Sequence, residues 1–173
     1  MRLPLCLAVL LSMQACSPSL NWREVRLDPL PVRAQMPCKP DRDTRAITLA
    51  GVALDLQMAG CRADGATFAL MAARVPDPSR AGTLLDAWKQ GTLQHMKATD
   101  ARESAFAPAG ALAIPQSVRV QSRGTGPEGA VAADAIWTAR VSEQGLTLVH
   151  AVIYRPAARP EAADAFFSGL QLP

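Results

Sequence analysis

Hydrophobic positions recur along this chain with two different periods. Ile47 and Leu49, then Val52, Leu54, Leu56 and Met58, alternate with polar or small neighbours, the period-two spacing that gives a strand one apolar face. Ala50-Gly51 lies between them as a turn, so a hairpin is expected here. Asp64-Gly65 is a second turn signal and leads into an apolar run of strand length at 67–75. The period then lengthens. After Pro76-Asp77-Pro78-Ser79, the residues Ala81, Leu85, Trp88, Thr92 and His95, flanked by Leu84 and Met96, recur every three or four positions, which predicts an amphipathic helix over 80–97. Gly91 inside it weakens the helix.

Extended segments return from Ser104 onward, broken by Pro108, Gly110 and Pro115, with a strand at 116–121 and a loop at 124–129. Two longer strands follow at 133–141 and 146–154. In the second, Leu146, Leu148, His150, Val152 and Tyr154 share one face, and Val149, Ala151 and Ile153 the other. A strand apolar on both sides belongs in the middle of a sheet. Pro160 opens a short helix through Phe167, because Pro suits a first turn and Glu161 suits the positive helix end; Gly169 closes it. Near the start, residues 17–31 read as a tether running into a short edge strand around Trp22, Val25 and Leu27, and 32–36 as a further extended piece ended by Pro37-Cys38-Lys39-Pro40. Together these elements predict an α+β fold: an antiparallel sheet with one main amphipathic helix and a short C-terminal helix.

The first sixteen residues carry a different message. Met1-Arg2 is followed by an apolar stretch from Leu3 to Leu11 and then by Met13-Gln14-Ala15-Cys16. One positive residue, a short apolar core and a small residue before Cys read as a bacterial export signal ending in a lipidation site. The alternatives are an ordinary cleaved secretory signal and an uncleaved anchor; the apolar run is shorter than the ~20 residues a spanning helix needs. Residues 1–15 are therefore expected to be a signal peptide, 16–31 a lipidated tether with an edge segment, and 32–173 one globular domain. Ser17 in place of Asp leans toward the outer membrane, with the domain facing the periplasm.

Charge and cysteines narrow the picture. Removal of Arg2 with the signal leaves 17 basic against 15 acidic residues, +2 over 158 residues, which gives no electrostatic case for nucleic acid. The densest charge mixture, Lys39 to Arg45, reads as a solvated turn. Cys6 falls in the signal and Cys16 at the anchor, which leaves Cys38 and Cys61 in an oxidising compartment and predicts one disulfide. A redox or metal pair is the alternative. Its spacing is not C-x-x-C, and no His or acidic cluster accompanies it.

The order of hairpin strands, one long helix, further antiparallel strands and a terminal short helix resembles the PsbP-like fold shared with the Mog proteins. Met36-Pro37-Cys38-Lys39-Pro40 is similar to the phenylalanine-proline-x-lysine-proline start of such proteins, and Phe166-Phe167-Ser168-Gly169-Leu170 to their ending. The likeness covers about residues 32–173 and implies a layered α/β/α sandwich. That fold hosts photosystem accessory proteins, a GTPase-binding protein and bacterial envelope lipoproteins, so it implies no single function. No ligand or partner residue carries over from it.

Candidate chemistry is sparse. Gly124-Thr125-Gly126-Pro127-Glu128-Gly129 spells G-x-G-x-x-G, but a phosphate-cradling loop must leave a strand and open a helix, and a strand pattern follows here. His95 and His150 are the two histidines. His95 is expected packed at the rim of the helix face; His150, between Leu148 and Val152 on a central strand, needs a hydrogen-bond partner and is the one weak candidate for a site acid or base. No serine sits in a nucleophile elbow. Glu24, Asp28, Asp55 and Asp134 have no evident partner and read as solvated strand faces. Trp22, Trp88 and Trp137 serve either as a cleft lining or as core, with core packing the simpler reading. No catalytic residue, metal or cofactor is expected. The function this leaves is a non-catalytic envelope lipoprotein that binds another protein as an accessory factor, with a small-ligand or lipid-binding module as the alternative and an enzyme last.

Overall fold

The structure is a computed structural model that describes residues 20–126, 129–155 and 160–173. The expected signal peptide, the expected lipidation site at Cys16 and the Pro127-Glu128 pair of the glycine-rich sequence lie outside the described residues. Among the described residues, nine strands and two helices follow one another: β1 (Arg23–Arg26), β2 (Arg33–Met36), β3 (Asp41–Leu49), β4 (Val52–Ala63), β5 (Ala66–Val75), α1 (Ala81–His95), β6 (Thr99–Ala105), β7 (Val118–Gly126), β8 (Gly129–Ser142), β9 (Gly145–Arg155) and α2 (Pro160–Ser168). A 3-10 turn at Pro78–Arg80 leads into α1, with the Asp77 side chain accepting from the Ser79 amide.

Seven strands form one antiparallel sheet in the order β3-β4-β5-β9-β8-β7-β6, and β1 pairs with β2 in a separate ribbon. The fold is thus α+β. Turn chemistry explains the hairpins. Ala50 and Gly51 both have positive φ between β3 and β4, as do Asp64 and Gly65 between β4 and β5, the backbone that a tight two-residue connection requires.

The period-two pattern buries both faces of the sheet. On one side, Leu84, Leu85 and Trp88 of α1 pack on Leu146, Leu148, Val152, Trp137 and Val75. On the other, Phe166 and Phe167 of α2, with Val25, Leu27 and Met36 of the ribbon, cover Phe68, Leu70, Ile136, Ala151 and Ile153. β9 runs between the two cores and is buried along nearly its whole length. The chain end is held as well: Gln171 bridges to Arg33, and Arg140 Nη1 donates to the Leu172 carbonyl.

Two expectations need correction, and one strand has no counterpart in the sequence pattern. The charged stretch from Lys39 to Arg45 is not a turn: residues from Asp41 on belong to β3, whose other edge is unpaired, so its charged side chains stay in solvent while its backbone pairs with β4. An edge strand tolerates such charges, which also discourage unwanted pairing. Thr99–Ala105 is a strand although every one of its residues is exposed. His95 is exposed rather than packed at the helix rim.

Candidate functional site

The polar site grows out of the alternation in β7 and β8. Val118 and Val120 point into the α1 core, which turns Arg119 and Gln121 to the α2 side. The register sets Gln121 opposite Asp134. Asp134 is 1% exposed, in a strand whose neighbours are alanine, isoleucine and tryptophan. A carboxylate there must be neutralised and hydrogen-bonded. Arg119 meets that need with both prongs of its guanidinium, Nε donating to Oδ1 at 2.8 Å and Nη2 to Oδ2 at 2.7 Å. Gln121 Nε2 donates to Oδ2 at 3.0 Å, and Arg155 Nη2 lies 3.6 Å from the same oxygen.

The network ties the sheet to α2. Arg119 Nη1 and Nη2 lie 3.3 and 3.4 Å from Asp164 Oδ1, and its guanidinium sits 4.9 Å from the centroid of the Phe167 ring, a cation–π contact. The hydrogen bonds to Asp134 hold the Arg119 guanidinium above its ordinary pKa, against the opposing effect of its partial burial. Burial pulls Arg155 the other way. Above this network opens a groove of about 410 Å³ lined by Arg102, Glu103, Ser104, Arg119, Gln121 and Asp164.

Chemically, the arrangement holds charge. Asp134 has both oxygens engaged and its access to solvent closed, so its part is to fix Arg119 and the Gln121 amide in place. Because the Gln121 Nε2 is directed at Asp134, its Oε1 is left as an acceptor.

His150 lies on the opposite side of the sheet. Its ring is 1% exposed, stacks on Trp137 at 4.4 Å and meets the edge of Trp88 at 5.4 Å. Nδ1 lies 2.9 Å from the Ile136 carbonyl; a carbonyl only accepts, so Nδ1 carries the proton. Burial, partly offset by this hydrogen bond, lowers its pKa to about 4. It is a neutral core histidine beyond reach of the groove. The indole nitrogen of Trp137 is buried without a partner.

Cys38 and Cys61 are joined in the expected disulfide, with Cα atoms 6.0 Å apart. The glycines of the G-x-G-x-x-G sequence belong to strands, Gly124 and Gly126 ending β7 and Gly129 opening β8. Gly124 has a packing reason: a Cβ there would stand 2.5 Å from the Met96 carbonyl oxygen. Trp137 and Trp88 are core, and Trp22 packs edge-on to Phe68. Among the described residues no cluster of three or more His, Cys, Asp or Glu could hold a metal, and no helix is long and apolar enough to cross a membrane.

Asp134 and Arg119 are the residues that sequence reasoning misses. A lone acid in a strand reads as solvated, whereas Asp134 is the most deeply buried carboxylate among the described residues. A signal exists: one acid inside the apolar β8 pattern, one hairpin away from an Arg and a Gln spaced by two. No protein-family model matches the chain, and neither does any curated protein.

Proposed function

We propose that this chain is an envelope lipoprotein, acylated at Cys16 and facing the periplasm from the outer membrane, whose domain is layered as in PsbP-like proteins and acts as a non-catalytic accessory module that binds another envelope protein. One observation carries the reading. The buried Asp134 holds Arg119 rigidly at the floor of an open groove, which is a recognition surface prepared in advance of its partner. A buried ion cluster stabilises a fold less than apolar packing of the same volume, so its placement under the groove points to recognition. His150, the candidate acid or base, is sealed in the other core.

The small-ligand alternative is favoured by the same groove, whose size suits a small polar molecule. A lipid pocket between α1 and the sheet is not favoured, since Leu84, Leu85 and Trp88 fill that space.

In-cell crosslinking of the tagged protein in its host, followed by affinity purification and mass spectrometry, tests the proposal. Wild-type protein should fractionate with membranes and capture a stoichiometric envelope protein, and Cys16→Ser should lose both. A Cys16→Ser variant that stays membrane-bound removes the anchor; a wild type that captures nothing above background removes the accessory role.

A further inference from the structure

We propose that the groove above Asp134 is a carboxylate-binding site for an acidic segment of a polypeptide partner, with Arg102 and Arg119 as its cationic pair. The inference deepens the binding-module reading and rests on it. Four observations converge. Arg102 lines the groove and is exposed, and among the described residues neither a hydrogen bond nor an ion pair engages its guanidinium. It stands opposite Gln121 directly after an irregularity in the β6–β7 pairing between Thr99 and Arg102, and such bulges re-aim a side chain away from the regular pleat.

The acid beside Arg102 in sequence does not neutralise it. Glu103 is engaged by α1, its carboxylate accepting from Lys89 Nζ at 2.8 Å. Arg119, by contrast, is turned into the groove and its outer edge already has an occupant. The Asp164 carboxylate approaches Nη1 and Nη2 only at 3.3 and 3.4 Å, and is itself largely in solvent. A carboxylate held loosely on a fixed guanidinium marks the chemical class the position accepts. A partner's carboxylate would displace Asp164 from Arg119 and reach Arg102 with its second oxygen. Ser104 Oγ and Gln121 Oε1 at the same groove would meet the partner's backbone amide or its neighbouring polar group.

Asp164 gives the proposal a sign. As a competitor it weakens an anionic ligand, whereas for a cationic ligand it would be the main attraction.

The test uses the full chain, extracted from its host in neutral detergent. Binding is read as the anisotropy of three peptides carrying an uncharged dye: a Glu-Gly hexapeptide with amidated end, its Gln-Gly counterpart with amidated end, and the Gln-Gly peptide with a free C-terminal carboxylate. The first should bind saturably and lose affinity with salt, and the third reports whether a chain end also serves. Arg102→Gln should weaken binding about fivefold, the scale of one exposed charge contact, and Asp164→Asn should tighten it by roughly two- to fivefold. Arg45→Gln, remote on β3, should change nothing. Binding of the amidated Gln-Gly peptide equal to the acidic one, no saturable binding, inorganic phosphate displacing the peptide at the same concentration as N-acetylglutamate, or weaker binding by Asp164→Asn each overturns the proposal. Crosslinking separates the two levels: a partner captured equally by wild type and Arg102→Gln leaves the module reading standing and removes the groove.

Discussion

Trp137 and His150 face each other across the β8–β9 pair as stacked rings, 4.4 Å between centroids and 12° between planes. The stack sits in the α1 core, so protonation of His150 would place a charge among apolar side chains.

Acid should therefore destabilise the fold through this residue. The folded pKa is about 4 against 6.5 for a free histidine. A lowered folded pKa means that the unfolded chain binds the proton first, so stability falls as pH drops from 6.5 toward 4. By about pH 5 the loss from His150 alone is about 2 kcal/mol. Urea melts of wild type and His150→Phe at several pH values should show a shallower pH slope for the variant. Equal slopes would show that His150 does not titrate as its burial requires.

Removing Asp134 should be costly in a specific way. Asp134→Ala leaves the half-buried Arg119 and the buried Arg155 close together without that carboxylate, which should cost roughly 3–5 kcal/mol. Exchanging the pair for apolar groups, Asp134→Leu with Arg119→Met, should recover much of that loss. A double variant no more stable than Asp134→Ala alone would show that the charges are not coupled.

The disulfide ties the segment between β2 and β3 to the far end of β4. Opening it, by reductant or by Cys38→Ser with Cys61→Ser, should lower stability by roughly 3 kcal/mol in the chain-entropy account. For a domain of this size that lowers Tm by about 6–12 °C. A change below about 1 °C in calorimetry would mean that the bridge constrains nothing in the unfolded chain.

Two glycines should respond in opposite directions to the same substitution. Gly91 lies in α1 with nothing within 4 Å of the place a Cβ would take, so Gly91→Ala should stabilise by about 0.5–1 kcal/mol. Gly110 has φ +82° and the Leu172 carbonyl occupies the space where its side chain would stand, so Gly110→Ala should destabilise by about 2 kcal/mol or more and free the C-terminal residues to amide exchange. Protection at Leu172 unchanged in the variant would contradict the contact.

Parts of this fold are legible in the sequence because local chemistry and tertiary packing agree there. The hairpin turns at Ala50-Gly51 and Asp64-Gly65, the buried face of α1 through Leu85 and Trp88, the central place of β9 and the Cys38–Cys61 bridge all follow from residue type and spacing. β6 escapes notice because its residues, all exposed, show no period; only the backbone of β7 makes it a strand. Asp134 escapes for a related reason. Whether a lone acid in a strand is solvated or buried depends on what covers that face, and here α2, many residues later, supplies the cover together with Arg119.

The place of β9 in the chain bears on when the fold can form. This strand lies between β5 and β8 in the sheet, yet it is among the last segments in sequence. Until residues 145–155 are available, β3-β4-β5 has an open inner edge and β6-β7-β8 has nothing to join, and each layer lacks the strand that seals both cores. The sheet can close only when β9 pairs with strands distant in sequence, and such long-range pairing is slow beside the formation of a local hairpin. One strand thus joins the two halves of the sheet, and a chain from which β9 is withheld is left with two separate three-stranded pieces rather than a smaller version of the same fold.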